Sequence, residues 1–175
     1  HDRVAKIAFT GSTAIGKQVV AAAAGNLKKV TLELGGKSPV IVFDDADLDA
    51  AIAGAAMGAF ARSGQACIAG SRLYVQRKSF DRVVEGIAAL SRSMTIGDAF
   101  AQGSQIGPII SAKQLDRIAT LVESGVAAGG RLVAGGRVAG DQGYFMQPTV
   151  LANPPQKSRV MQEEIFGPVL CATPF

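Results

Sequence analysis

The sequence contains no tryptophan, one histidine (His1) and only two cysteines, Cys67 and Cys171. With a single histidine, a metal site built from several imidazoles is not expected, and no group of Cys and His has the spacing of metal ligands. Two cysteines do not make a disulfide framework. We therefore expect free thiols in a reducing compartment, a cytoplasmic protein and no metal site.

Strong charge of one sign and long apolar runs are also missing. The net charge is +4, and the basic residues are scattered in runs no longer than a pair. Aromatic residues make up only 6% of the chain and are not interleaved with the basic ones. A nucleic-acid-binding surface would favour such interleaving. The longest apolar stretch is short and interrupted by glycine. We expect neither a nucleic-acid partner nor a membrane span.

Short apolar runs alternate with helical patterns along most of the chain, which has 48% hydrophobic residues. Strands are predicted near residues 4–10, 30–34, 40–43, 71–76, 131–134, 148–151 and 169–172, and helices near 13–24, 48–62, 79–91, 111–128 and 160–165. This alternation predicts an α/β fold with a largely parallel sheet and flanking helices. The pair Gly35-Gly36 marks a seam after the first strand–helix–strand unit.

Cys67 follows the predicted helix end and the Ser63-Gly64-Gln65 break. A thiol on a loop with small neighbours is accessible to a substrate carbon, and loop N–H groups can stabilise the oxyanion that forms. A cysteine without such a context is more often a small buried hydrophobe. The glycine-rich context favours a nucleophile, and the residues alone leave both interpretations open.

Glu33 lies between Leu32 and Leu34 at the end of a predicted strand. In a buried strand, an unpaired carboxylate is unfavourable, and burial would make it a stronger general base. Alternatively the strand alternates, and Glu33 faces solvent between two apolar neighbours. On the pattern alone, the two interpretations are equally supported.

Two further segments could contact a nucleotide. The first predicted strand leads through Gly11 and Ser12 into a helix that contains Gly16, and the N–H groups at a helix N-terminus suit a phosphate. The segment matches neither Gly-x-Gly-x-x-Gly nor a Walker loop, so ordinary capping by Ser12 is the alternative. The pair Glu163-Glu164 could bind ribose hydroxyls or could form a solvated helix end.

Together, these four segments resemble the aldehyde dehydrogenase superfamily, and the resemblance covers essentially the whole chain. Residues 32–39 (Leu-Glu-Leu-Gly-Gly-Lys-Ser-Pro) resemble the glutamate signature of this family, and residues 60–71 resemble its cysteine signature. Residues 9–13 and 163–169 resemble two of its cofactor-contact segments. Four matches in the correct order are far more specific than any one of them.

The resemblance implies NAD- or NADP-dependent oxidation of a small-molecule aldehyde to a carboxylic acid. Cys67 would attack the aldehyde to form a thiohemiacetal, with its own backbone N–H as one oxyanion donor. Loss of a hydride would leave a thioester, and Glu33 would activate the water that hydrolyses it. The presence of Glu33 favours this hydrolytic branch over branches that transfer the acyl group to coenzyme A.

The resemblance also implies a set of cofactor contacts. These are Gly11 and Ser12 beside the pyrophosphate, Gly16 where a helix packs closely, Leu34 facing the nicotinamide through its backbone, Glu164 at the nicotinamide ribose and Phe166 beside that ring.

By the same resemblance, residues 1–35 correspond to the C-terminal part of a Rossmann-like cofactor-binding domain. Residues 36–175 correspond to the nucleophile-bearing catalytic domain, truncated at its C-terminus. Members of the family are much longer than this chain and are expected to form homodimers or homotetramers. We therefore expect a fragment that alone is inactive or nearly so. The alternative is a non-catalytic structural or binding module that retains the fold.

Overall fold

The first unit of the computed structural model, His1–Gly36, is built from two strands and the helix between them. The structure describes residues 1–140 and 142–175. The elements of the first unit are β1 (Lys6–Gly11), α1 (Thr13–Ala23) and β2 (Lys29–Leu34), and β1 pairs with β2 in parallel. Exposed and half-buried side chains alternate along both strands, so the half-buried face is the one that packs against the helix.

The second unit, Lys37–Phe175, contains a five-stranded sheet with helices on both faces. Its elements are β3 (Pro39–Val42), α2 (Leu48–Phe60), β4 (Arg72–Val75), α3 (Phe80–Ser93), α4 (Ala112–Ala127), β5 (Arg131–Ala134), β6 (Thr149–Ala152), α5 (Arg159–Gln162) and β7 (Val169–Pro174). The strand order is β3-β4-β7-β6-β5, and of the pairings between these five described strands only that of β5 with β6, at one edge, is antiparallel. The predicted α/β fold with a mostly parallel sheet is confirmed.

Two hydrophobic clusters pack on opposite faces of this sheet. Successive residues of the inner strands enter different clusters: Val150 and Leu170 pack with α2 and α3, whereas Leu151 and Cys171 pack with α4 and α5. Strands that are buried on both faces have continuous apolar sequences rather than alternating ones. This explains the continuous apolar runs of residues 150–152 in β6 and 169–172 in β7.

The helix that leads to the candidate nucleophile begins as predicted and ends earlier. Asp47 caps α2, because its Oδ1 accepts hydrogen bonds from the backbone N–H groups of Asp49 and Ala50 at 3.1 Å each. The prediction continued the helix to residue 62, but α2 ends at Phe60. A short 3-10 segment follows, in which Arg62 and Ser63 have φ values of 54° and 55°, and this left-handed backbone cannot continue an α-helix.

The predicted start of α3 at residue 79 is confirmed to within one residue. Ser79 occupies the N-cap position, but its hydroxyl donates to Asp44 Oδ1 at 2.7 Å and makes no capping bond. The predicted bounds of α5 are wrong. The helix predicted over 160–165 is only Arg159–Gln162. The carbonyls of the residues that follow accept side-chain donors from α4, so they do not form another helical turn.

Within the described ranges, none of the helices combines the length and the apolar composition that a membrane span requires. In the same ranges, no group of three or more His, Cys, Asp or Glu side chains is arranged to hold a metal ion.

Candidate active site

Cys67 lies on the loop between α2 and β4, and its thiol is free and exposed. The loop is anchored close to the thiol by backbone hydrogen bonds, from Ala69 N to the Ala66 carbonyl at 3.1 Å and from Gly70 N to the Gly58 carbonyl at 3.0 Å. The thiol is therefore accessible while its backbone is held. The interpretation of Cys67 as a buried hydrophobe is wrong for this chain.

The second cysteine has the opposite environment. Cys171 is fully buried in β7, and its Sγ lies 3.8 Å from the carbonyl oxygen of Val160. Burial raises the pKa of the Cys171 thiol to about 11, although the nearby positive charge of Lys37 acts in the opposite direction. Cys171 is thus a structural thiol, in contrast to Cys67.

The start of the nucleophile loop has an unusual backbone. Arg62, Ser63 and Gly64 are consecutive and have φ values of 54°, 55° and 65°, and a left-handed conformation is unfavourable for residues other than glycine. Ser63 is buried, and its hydroxyl donates to the Gly107 carbonyl at 2.9 Å. This buried hydrogen bond helps to hold the loop in its left-handed path.

Gln65 makes a second connection from the loop to the segment of residues 107–110. Its Nε2 donates to the carbonyl of Pro108 at 3.2 Å, and its Oε1 accepts from the backbone N–H of Ile110 at 2.9 Å. Both ends of the amide are therefore used. Gln65 therefore connects the loop that carries Cys67 to residues 107–110 through two side-chain hydrogen bonds.

The next segment of the candidate site, residues 164–166, is held by side chains from α4. Gln114 Nε2 donates to the carbonyls of Ile165 and Phe166 at 2.9 and 3.1 Å, and Arg117 Nη1 donates to the Glu164 carbonyl at 2.7 Å. Phe166 has a φ of 55°. The backbone positions of the proposed ribose and nicotinamide contacts are thus set by α4.

A surface hollow of about 520 Å³ brings two parts of the candidate site together. Gln65 of the nucleophile loop and Phe166 of the 164–166 segment both line it. The remaining lining residues are Pro108, Ile109, Ile110 and Tyr144. The hollow is largely apolar and lies beside the loop of Cys67.

Lys37 is a feature that sequence reasoning missed. Its Nζ is buried and has no hydrogen-bond partner among the described residues. Burial lowers the pKa of Lys37 to about 8; the charges of Arg72 and Arg117 act in the same direction, and the charges of Cys171 and Glu164 oppose the shift. The sequence shows this lysine only as part of a Gly-Gly-Lys turn, which is typical of an exposed side chain.

In the first unit, the turn after β1 has the predicted shape. The Ser12 hydroxyl oxygen accepts from the backbone N–H of Ile15 at 3.4 Å and caps α1, which is the ordinary role that the sequence left open. Gly16 is buried, and a β-carbon there would lie 2.7 Å from Leu34 Cδ2. At Gly11 a β-carbon would lie 2.5 Å from Phe9 Cζ. The two glycines permit close packing at the N-terminus of α1.

Glu33 lies on β2 opposite Thr10 of β1 and is exposed, whereas its neighbours Leu32 and Leu34 are half-buried. Of the two interpretations of Glu33, the alternating strand is therefore correct and the buried carboxylate is wrong for this chain. An exposed carboxylate at this position is accessible to water.

Comparison with known proteins agrees with these observations. A model of the aldehyde dehydrogenase family matches residues 1–175. The chain is 48% identical to an aldehyde dehydrogenase from Alternaria alternata and 45% identical to a betaine aldehyde dehydrogenase from Rhizobium johnstonii. Each match covers 100% of this chain and 35% or 37% of the relative.

Solved structures give the same result. The NAD+ complex of aldehyde dehydrogenase from Bacillus cereus matches 100% of this chain and 36% of its own length, with a TM-score of 0.98 and 42% identity. A betaine aldehyde dehydrogenase from Staphylococcus aureus in complex with NAD+ matches with a TM-score of 0.96 and 35% identity, over 100% of this chain and 35% of its own. The chain spans about a third of the length of these relatives. The chain belongs to the aldehyde dehydrogenase family.

Proposed function

We propose that this chain carries the nucleophile, Cys67, and the general base, Glu33, of an enzyme that oxidises an aldehyde to a carboxylic acid. The observation that carries the proposal is the exposed thiol of Cys67 on a loop whose backbone is fixed at Ser63 and Gln65. A thiol that is accessible and preorganised can react with a carbonyl carbon. Family membership gives independent support.

In this proposal, the thiolate of Cys67 forms a bond to the aldehyde carbon, the carbonyl π bond breaks, and the carbonyl oxygen becomes an oxyanion near the backbone N–H of Cys67. Departure of a hydride from that carbon leaves a thioester. Glu33 takes a proton from a water molecule, the water oxygen attacks the thioester carbon, and the carbon–sulfur bond breaks. The products are the carboxylic acid and the regenerated Cys67 thiolate.

A nicotinamide cofactor fits the residues that are present. The N-terminus of α1 directly follows β1, and Gly11 and Gly16 remove the side chains that would obstruct close packing there; such a helix terminus suits a pyrophosphate. We assign Gly11, Ser12, Gly16 and Leu34 to cofactor contacts in the first unit, and Glu164 and Phe166 to contacts with the nicotinamide riboside. When bound, NAD or NADP would supply the hydride acceptor.

The proposal favours NAD, because the Bacillus cereus and Staphylococcus aureus relatives were solved with NAD+. We further propose that residues 1–35 end a cofactor-binding domain, that residues 36–175 belong to the catalytic domain, and that the full-length protein forms a homodimer or homotetramer. A non-catalytic module would need no exposed thiol on a fixed loop, so the exposure of Cys67 favours the enzyme.

Acyl transfer from p-nitrophenyl acetate tests the nucleophile and the base without a cofactor. We expect release of p-nitrophenolate with an acetyl group on Cys67, identified by mass spectrometry, and no acetylation in Cys67→Ser. Glu33→Gln should still be acetylated but should lose the acetyl group more slowly, because the water is no longer activated. Acetylation spread over lysines, or equal deacetylation in Glu33→Gln, would contradict the proposal.

A further inference from the structure

We propose that Gln65 is a positioning residue that orients Cys67 for addition to a carbonyl, by holding the nucleophile loop on residues 107–110. This inference rests on the proposed role of Cys67. Gln65 is not offered as a catalytic residue, because both ends of its amide already bind backbone groups of this chain.

The chemistry of the contact requires an amide. The Nε2 group donates to the Pro108 carbonyl at 3.2 Å while Oε1 accepts from the Ile110 N–H at 2.9 Å, so the side chain spans the intervening Ile109. A glutamate could keep the bond from Ile110 and would lose the donor to Pro108. A leucine of similar size would lose both bonds and leave a backbone N–H and a carbonyl without these partners.

The connection acts close to the reacting atom. Only Ala66 separates Gln65 from Cys67, and Gln65 directly follows three left-handed residues, Arg62 to Gly64. Left-handed backbone is unfavourable at residues other than glycine, and it persists only where surrounding contacts determine it. Without Gln65, the loop keeps the Ser63 anchor and loses the two side-chain bonds that start two residues before Cys67.

The same segment continues to the proposed cofactor contacts. Residues 107–110 lead directly into Ser111, the N-cap of α4, and Gln114 in the first turn of that helix donates to the carbonyls of Ile165 and Phe166. Gln65 and Phe166 also line one hollow. One continuous set of hydrogen bonds therefore fixes the nucleophile loop and the segment of the proposed nicotinamide contact relative to each other.

Two thiol reactions separate positioning from accessibility. Alkylation by iodoacetamide requires an exposed thiolate and no oxyanion donor, whereas acetylation by p-nitrophenyl acetate passes through an oxyanion that must meet the loop N–H groups. In Gln65→Leu, we expect acetylation of Cys67 in the 175-residue chain to slow by about tenfold or more. Alkylation of Cys67 should change by less than about twofold, since exposure of the thiol is unchanged.

Gln65→Glu should give an acetylation rate between those of the wild type and Gln65→Leu, because it retains the bond from Ile110. It also provides the test of the positioning role if Gln65→Leu does not fold. Gln102→Leu, at an exposed position in a turn, is the matched control and should leave both rates unchanged.

If Cys67 is acetylated as fast in Gln65→Leu and Gln65→Glu as in the wild type, the positioning role is overturned while the nucleophile stands. If both reactions slow together, or Cys171 becomes labelled, the role is only structural. If the wild type is not acetylated at Cys67, the proposed function itself fails.

Discussion

A β-carbon placed on Gly64 would lie 2.1 Å from the carbonyl oxygen of Gly167. Gly64 has a φ of 65° and lies three residues before the nucleophile, whereas Gly167 directly follows Phe166. A β-carbon on Gly167 would in turn lie 2.4 Å from Ile118 Cδ1. The nucleophile loop and the segment after Phe166 are thus in backbone contact, and this contact depends on two residues without side chains.

Gly64→Ala should destabilise the fold by at least about 2 kcal/mol, because the new methyl group meets a backbone carbonyl and the required φ is unfavourable for alanine. The measurement is the free energy of unfolding in urea. Gly54→Ala is the matched control: Gly54 lies in α2 with open space around its β-carbon position. It should stabilise the chain by up to about 1 kcal/mol. Equal effects of the two substitutions would contradict this account.

At neutral pH, iodoacetamide should label the folded chain once, at Cys67, because Cys171 is buried and its pKa is raised to about 11. In denaturant, both cysteines should react. Peptide mapping after a timed reaction measures this difference. Cys67→Ser should leave the folded protein unlabelled, and comparable labelling of both thiols in the native state would refute the assignment.

Lys37→Met should increase stability at pH 7 by of the order of 2 kcal/mol, since it removes a charge whose burial lowers its pKa from 10.5 to about 8. Between pH 8 and pH 10.5, Lys37 keeps its proton in the unfolded chain and loses it in the folded chain, so the wild type gains stability as pH rises. The advantage of Lys37→Met should therefore be constant below pH 8 and shrink as pH approaches 10.5.

Urea unfolding at several pH values measures the Lys37 effect. Lys157→Met is the matched control, because Lys157 is exposed, and it should change stability little at any pH. An advantage of Lys37→Met that does not depend on pH would assign the gain to added apolar contact rather than to the removed charge.

Asp47→Ala should cost about 1 kcal/mol, because the first turn of α2 loses its capping carboxylate. Asp47→Asn keeps an oxygen acceptor and should retain most of the stability. Thermal unfolding of the three proteins measures the difference. If asparagine proves as costly as alanine, the contribution of Asp47 comes from its charge near the helix terminus instead of from the two hydrogen bonds.

Local patterns predicted the elements whose ends are determined by nearby residues. The helix predicted over 111–128 is Ala112–Ala127, because its apolar spacing and the Ser111 cap are both local signals. The strand Arg131–Ala134 has the predicted bounds. The predicted ends of α2 and α5 were wrong, because long-range contacts determine where these helices end. Ser63 bonds to Gly107, which lies 44 positions away, and the periodicity of the sequence carries no information over such a separation.

The same limit applies to the candidate site. The glycine-rich flanks of Cys67 predicted an exposed thiol, and the structure has one. Gln65 and Gln114 were missed, although Gln65 lies only two positions from Cys67, because their partners are backbone groups 43 and 51 positions away. For Glu33, the alternation of β2 was visible in the sequence, but the sequence did not show whether the face that carries Glu33 was covered as well.

The last of the five strands in chain order, β7, occupies the centre of the second sheet between β4 and β6. During synthesis, β3–β4 and β5–β6 can form only as separate pairs until residues 169–174 emerge from the ribosome. Both apolar faces are closed by this one strand, which places Leu170 in one cluster and Cys171 in the other. Completion of the sheet therefore needs contacts between residues that are far apart in the sequence, which are typical of slowly folding proteins. The amide protons of β7 should exchange with solvent only when the whole unit opens.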